Sequence, residues 1–197
     1  MIEPGRVRPV SARDPLTRPA PLDFRKALGR YATGVVAVTG LVGGAPVALV
    51  VNSFTSVSLD PPLVSFCVAH TSRTWPRLRE AARLGVNILG EHQRAVAVRL
   101  AATDGDRFHG VPWTAAPSGP SELAGPPVLD GVIGRLECSI AAEHPAGDHD
   151  IVVAHVHLVD ACATGRPLVF YGGRYGGFAE FTGSDAPPSP AEERSPV

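Results

Sequence analysis

The stretch that decides the fold is Asn52–Pro62, NSFTSVSLDPP, a run of short hydroxyl and amide side chains closed by two prolines. It follows directly on the apolar segment Val47–Val51 and leads directly into another, Leu63–Ala69. Short apolar runs bounded by turn residues read as buried strands, so the stretch is expected to be a polar loop held between two of them. A loop whose ends are fixed by a rigid scaffold keeps its backbone amides available to a ligand. Asn52, Ser53, Thr55, Ser56 and Ser58 add short donors and acceptors without net charge, a set that suits a neutral heterocycle with a polar edge. The same side chains can also satisfy their own backbone in turns ahead of Pro61.

Working outward toward the N-terminus, Val35–Thr39 and Ala45–Val51 flank a Gly40–Gly44 turn region, and β-branched residues bounded by glycine predict a hairpin. Before it, Asp23 reads as the N-cap of a short amphipathic helix. Phe24, Ala27, Leu28 and Tyr31 fall at helical spacing, and Gly34 supplies the stop. Residues 1–21 hold five prolines and little apolar periodicity, and read as a flexible arm.

Toward the C-terminus, Ser72 is placed to cap a helix from Thr74 to about Arg83, with Pro76 in its first turn. Leu84–Leu89 returns as a strand. Gln93–Ala102 has helical composition and is closed by DGDRFHG, Asp104–Gly110, after which Gly110–Pro127 is a proline-rich loop. Leu136, Cys138, Ile140 and Ala142 alternate with Arg135, Glu137, Ser139 and Glu143, the period of a half-exposed antiparallel strand. Its partner is Ile151–Ala161, across a GDHD turn. A last strand, Pro167–Tyr171, precedes GGRYGGF, and residues 183–197 read as a disordered tail beyond a domain spanning 22–182. Many strands with few short helices predict a mainly β, closed or nearly closed antiparallel barrel.

Composition narrows the function. A chain of 197 residues with 44% hydrophobic and 19% charged residues suits one domain with a real core. The 18 basic and 19 acidic residues are interspersed, which offers no footprint for nucleic acid. No apolar run reaches the length of a membrane span, and the N-terminal segment lacks the apolar core of a signal sequence, so a cytoplasmic protein is expected. Cys67, Cys138 and Cys162 are widely spaced in apolar segments and read as small buried hydrophobes.

The common dinucleotide and P-loop fingerprints are absent, as is the GxSxG elbow of hydrolases. His155 and His157, two apart on one strand, face the same side and with His149 could ligate a metal, or could be ordinary polar groups on an exposed face. His149, in the GDHD turn, is placed to project from the barrel rim as an uncharged donor or acceptor, or is an ordinary turn histidine. Ser72, Arg73 and Thr74 bring hydroxyls and a guanidinium together in a phosphate site, or else form a helix cap with an exposed arginine.

FRKALGRYATGVVAVT, NSFTSVSLDPPLVSFCV, SRTW, VNIL, DRFHG, LECSI, GDHDIVVAHV and PLVFYGGRYG, in that order over Asp23–Phe178, together resemble the flavin reductase family, the reductase components of two-component flavin-dependent monooxygenases. The resemblance implies an antiparallel split β-barrel of the FMN-binding type and a homodimer. It also implies reduction of FMN or FAD by NADH or NADPH, with reduced flavin diffusing to a monooxygenase. By the same resemblance Val50, Val51, Asn52, Ser53, Phe54, Thr55, Ser56 and Ser58 surround the flavin ring and ribityl chain. Ser72, Arg73 and Thr74 take the phosphate, and Thr33, Gly34 and Asn87 stand near the flavin. His149 lies against the nicotinamide, and Phe170, Tyr171 and Tyr175 help to close the dinucleotide site.

Two features depart from the family pattern. Ala48 and Val50, in ALVVNSF, replace a usual glycine and threonine, and Gly172 follows Tyr171 where relatives often carry arginine. Two other readings of the chain are a flavoprotein of this fold that keeps its flavin and acts on an organic substrate, and a flavin or haem carrier without turnover.

Overall fold

A computed structural model describes residues 19–116, 125–161 and 164–180. The expected tail, Cys162 and all of the expected arm except residues 19–21 lie outside the described residues. In chain order the elements are α1 (Pro21–Leu28), β1 (Thr33–Gly34), β2 (Val36–Val42), β3 (Ala45–Val51), β4 (Thr55–Leu59), β5 (Pro62–Ala69), α2 (Trp75–Leu78), β6 (Leu84–Ile88), α3 (Arg94–Leu100), β7 (Trp113–Ala115), β8 (Pro127–Leu129), β9 (Gly134–Ala146), β10 (His149–Ala161), β11 (Val169–Tyr171) and β12 (Arg174–Gly176). A 3₁₀ turn, Glu91–Gln93, leads into α3.

Seven strands form one antiparallel sheet in the order β3-β2-β6-β9-β10-β5-β4. Its two edge strands, β3 and β4, are consecutive in the chain and joined only by Asn52–Phe54. In a flat sheet those edges would stand about 29 Å apart, at ~4.8 Å per strand. The connection from Val51 to Thr55 reaches at most about 14 Å. The sheet must therefore curl until its edges meet at this end, with no ladder between β3 and β4, which is a split barrel. Ser53 secures the junction: its Oγ accepts from the Cys67 amide of β5 at 2.8 Å.

The interior is filled by Val36, Val38, Val47, Phe66, Leu78, Leu84, Val86, Val152 and their neighbours. A second apolar cluster covers the outside of β2 and β3, where Val35, Ala37 and Ala48 pack against Leu89, Ala97, Leu100, Leu129 and Leu168. β2 is thus buried on both faces, and its sequence is a continuous apolar run instead of an alternation.

Both clusters meet a polar knot. The buried Asn87 amide donates to Ala37 O, Thr39 Oγ1 and Pro127 O and accepts from the Leu129 amide, while Thr39 Oγ1 donates to Pro127 O at 2.6 Å. These bonds dock the β7–β8 ribbon on the barrel. Two hairpins, β2–β3 and β11–β12, turn through paired glycines with positive φ, Gly43–Gly44 and Gly172–Gly173. That is the type I′ geometry that glycine favours, and it accounts for glycine following Tyr171.

Several expected boundaries shift. α1 begins at Pro21 with Ala20 as its cap residue, so Asp23 lies inside the first turn. The helix stops at Gly29, and Gly34 belongs to β1, where pairing with Val169 claims it. The expected helix from Thr74 is a single turn, because Trp75 and Leu78 are buried and Ala81 packs where a side chain on Gly40 would go. Half of the expected polar loop is the edge strand β4, paired with β5. Cys138 is buried and Cys67 half-buried, and burial pushes the Cys138 thiol up to about 12.

Candidate active site

Alternation along β3 decides what the barrel offers outside. Val47, Leu49 and Val51 point to the interior cluster, and Ala48 and Val50 belong to the outer one. Two cavities open along this strand. One, of about 350 Å³, is lined by Pro46, Ala48, Arg73, Thr74, Arg77 and Arg107. The other, of about 160 Å³, is lined by Val35, Val50, Val51, Asn52, Phe170 and Tyr175. Ala48 and Val50 are two residues apart, about 7 Å along a strand, so the two cavities open close together on the same face of β3, one lined by arginines and one by aromatic rings.

In the arginine-lined cavity Arg107 Nη1 donates to Thr74 Oγ1 at 2.7 Å and to Ala48 O at 3.4 Å. Having accepted from the guanidinium, the Thr74 hydroxyl keeps its own proton for an acceptor in the cavity. Arg73 and Arg77 stand beside it. Ser72 does not line this cavity; its Oγ accepts from the Trp75 amide at 3.2 Å, so that part of SRT is a helix cap. Arg77 and Arg107 are the functional candidates that the sequence reading missed. Arg77 lies on the single turn of α2, just after Arg73 and Thr74 in the chain, and Arg107 stands in the DRFHG segment that contributed to the family resemblance.

In the aromatic cavity Phe170 and Tyr175 face each other across β11 and β12, with ring centroids 5.3 Å apart at 62°. Thr33 pairs with Phe170 on β1, and its Oγ1 is buried with no hydrogen-bond partner. A buried orphan hydroxyl is costly unless a ligand completes it. Gly34 has an ordinary φ, and a Cβ built on it would meet nothing within 4 Å. Neither strain nor internal packing requires glycine there, so the space above it is open to a ligand.

The other expected site residues are dispersed. Ser53 is engaged with Cys67, and Phe54 packs against the barrel interior instead of a ligand cavity. Thr55, Ser56 and Ser58 lie on the β4 edge strand. Asn87 commits its amide to the polar knot described above. Tyr171 lies at the β11–β12 tip beside α1. His149 opens β10 opposite Ala69, hydrogen-bonded to Asp148 at 2.7 Å. It lines none of these cavities, although Ala69 leads through a turn to Ser72. The His149 bond holds the Asp148 carboxyl below its ordinary value. His155 and His157 do face the same side, with rings 4.9 Å apart. Among the described residues no group of three or more His, Cys, Asp or Glu side chains is arranged to hold a metal ion, and no helix is long and apolar enough to cross a membrane.

Residues 28–179 match the family described as Flavin reductase like domain. The chain belongs to that family. Among its relatives are the reductase subunit HsaB of a flavin-dependent monooxygenase from Rhodococcus jostii, 37% identical over 80% of this chain and 77% of that one, and the FMN reductase (NADH) SmoA of Agrobacterium fabrum, 40% identical over 79% and 85%. Among solved structures, nitrilotriacetate monooxygenase component B from Mycobacterium thermoresistibile superposes with a TM-score of 0.75 at 36% identity, covering 88% of this chain and 95% of that one. The NADH:FAD oxidoreductase SgcE6 of Streptomyces globisporus, in complex with NAD and FAD fragments, does so with 0.72 at 34%, covering 84% and 95%. The split-barrel flavin reductase fold and the oxidoreductase class expected from the sequence both stand.

Proposed function

We propose that this flavin reductase-like protein oxidises NADH or NADPH, reduces FMN or FAD, and releases the reduced flavin to a partner monooxygenase. The observation that carries the reading is the pair of neighbouring cavities on the outer face of β3, with Arg73, Thr74, Arg77 and Arg107 in one and Phe170 and Tyr175 in the other. Their residues fit a flavin: the arginine-lined cavity suits a phosphate, and the orphan Thr33 hydroxyl and the open space over Gly34 suit a ring with a polar edge. Flavin, when bound, supplies the two-electron acceptor for hydride.

The chain's own contribution is placement. Arg73, Arg77 and Arg107 hold the phosphate by charge-assisted bonds, and Thr74 donates the proton left free by Arg107. Asn52 and the free amides beside it hydrogen-bond the ring's edge, while Val35 and Val50 form an apolar floor. The aromatic cavity, about 160 Å³, is below the 300–1,000 Å³ typical of enclosed ligand sites. Val50, Asn52, Phe170 and Tyr175, which line it, would hold the flavin ring there. Hydride transfer between stacked rings asks for orientation more than for a protein acid or base. The positioning role of His149 toward the donor rests on the family resemblance.

A homodimer is supported by one face of α1, where Phe24 and Leu28, with Tyr31 just beyond the helix, are 53–75% exposed, apolar surface of the kind that marks an interface. Sedimentation equilibrium is expected to return twice the chain mass.

The deciding experiment measures NADH and NADPH oxidation by dialysed protein with added FMN, FAD or riboflavin. Turnover that saturates with free flavin is the expected result. Absence of oxidation with every flavin, or flavin retained through dialysis and reoxidised only by an organic substrate, would overturn it.

A further inference from the structure

The β9–β10 wall of the barrel carries a pair of side chains that flavin reduction leaves unused. Along β10, Val152, Ala154 and Val156 belong to the interior cluster, so His155 and His157 stand on the outer face. The register with β9 shifts between Val156 and Leu158, which makes His157 the extra residue of a bulge. A bulge re-aims side chains, and here the two imidazole rings meet with centroids 4.9 Å apart and planes tilted by 43°.

Each ring has a nitrogen to spare. His157 Nε2 lies 2.8 Å from Ser139 Oγ on β9, which leaves Nδ1 for a ligand. His155 Nδ1 is shielded from solvent and has no hydrogen-bond partner, a condition that calls for a partner from outside the chain, a water or an ion. The neighbouring charges do not oppose a cation, because Arg83 and Glu137, both close to His157, are paired with each other at 3.6 Å. On β5 the residue opposite His155 is apolar, Leu63. His157 is exposed, which gives an ion a way in.

Ring spacing identifies the ligand class. Two imidazoles on one ion, with metal–nitrogen bonds of about 2.0–2.1 Å at angles of about 90–110°, hold their ring centres about 4.5–5.3 Å apart. The observed 4.9 Å falls within that range. Neutral imidazole suits borderline divalent ions such as Zn²⁺ and Cu²⁺, whereas Mg²⁺ and Ca²⁺ take oxygen. We infer that His155 and His157 form a two-histidine site for an ion of the Zn²⁺ class, with Ser139 orienting the His157 ring and water completing the coordination.

His149 is not part of this site. It stands six residues before His155, about 20 Å along the strand, so the three-histidine set open to the sequence reduces to two. With two protein ligands the ion is exchangeable, and because it joins groups set in place by the bulge it favours the folded β9–β10 hairpin. The site is independent of flavin reduction.

The test is Zn²⁺ binding to untagged protein by calorimetry at about pH 7.5, in the wild type, His155→Gln, His157→Gln and, as a surface-histidine control, His144→Gln. One Zn²⁺ per chain is expected, with affinity at least about tenfold weaker in either site variant, unchanged affinity in the control, and no binding of Mg²⁺. Zinc at about ten times its Kd should raise the melting temperature of the wild type by about 3–5 °C and that of neither site variant. By NMR of the wild type, which needs no variant to fold, the first equivalent of zinc should move the His155 and His157 ring signals and leave those of the other histidines.

No zinc binding, unchanged affinity in either site variant, or an equal loss in His144→Gln would overturn the site. So would ring shifts centred on His70 or His149, whose hydrogen-bonded carboxylates, Asp150 and Asp148, make them the competing surface ligands.

Discussion

The two faces of β3 belong to one strand and do opposite things. Inside, Val47 and Val51 belong to the interior cluster with Phe66, Trp75 and Leu78. Outside, Ala48 and Val50 belong to the second cluster, and the arginine-lined and aromatic cavities open beside them. Stability is concentrated on the inner face and binding on the outer one. Substitutions should therefore separate into those that unfold the barrel and those that empty the site.

The largest expected effect is inside. Phe66→Ala removes a fully buried ring that meets Trp75 edge-on at 5.6 Å. It should cost about 3–5 kcal/mol by urea unfolding. A loss below about 1 kcal/mol would mean that the interior is not the stabilising face. Next is Asn87→Ala, which leaves the Leu129 amide without its partner and removes three donations to buried acceptors. A loss of about 2–3 kcal/mol is expected, and wild-type stability in the variant would show that the polar knot is dispensable.

Outside, Arg107→Ala should change stability by less than about 1 kcal/mol while weakening FMN about tenfold more than riboflavin, which has no phosphate. Equal losses for the two flavins, measured by fluorescence titration, would remove Arg107 from the phosphate end. The smallest effect lies on the barrel's outer wall. Burial, then the charges of Arg83 and His155, hold the His157 imidazole below its ordinary value, against an opposing pull from Glu137. The unfolded chain therefore takes the proton first. Stability is complete above about pH 6.5 and declines as pH falls from there toward the folded-state value. His157→Gln should flatten that decline in melting temperature between pH 7 and 5, and an unchanged slope would place its cause elsewhere.

Legibility followed the range of the interactions. The β2–β3 and β9–β10 hairpins were readable because period-two patterns and glycine turns are local. Arg73 and Thr74 were singled out together because they are adjacent, and both line one cavity. Arg107 was not assigned a role, since it meets Thr74 across 33 positions of chain. The polar loop was misjudged for a related reason: Thr55–Leu59 has loop composition but is held as a strand by β5, which offers it an unpaired edge. Asn87 was read as a ligand group because its type is visible in sequence and its four internal partners are not.

The sequence by itself determined the mainly β class, the order of the hairpins and the family, all of which depend on residue type and short-range periodicity. Tertiary structure decided which polar side chains are spent inside the fold, as with Ser53 and Asn87, and which cations converge from separate segments, as with Arg73, Arg77 and Arg107. The physical reason is barrel closure. Curling a seven-stranded sheet until β3 meets β4 brings together groups far apart in the chain, and no local propensity encodes their separation in space.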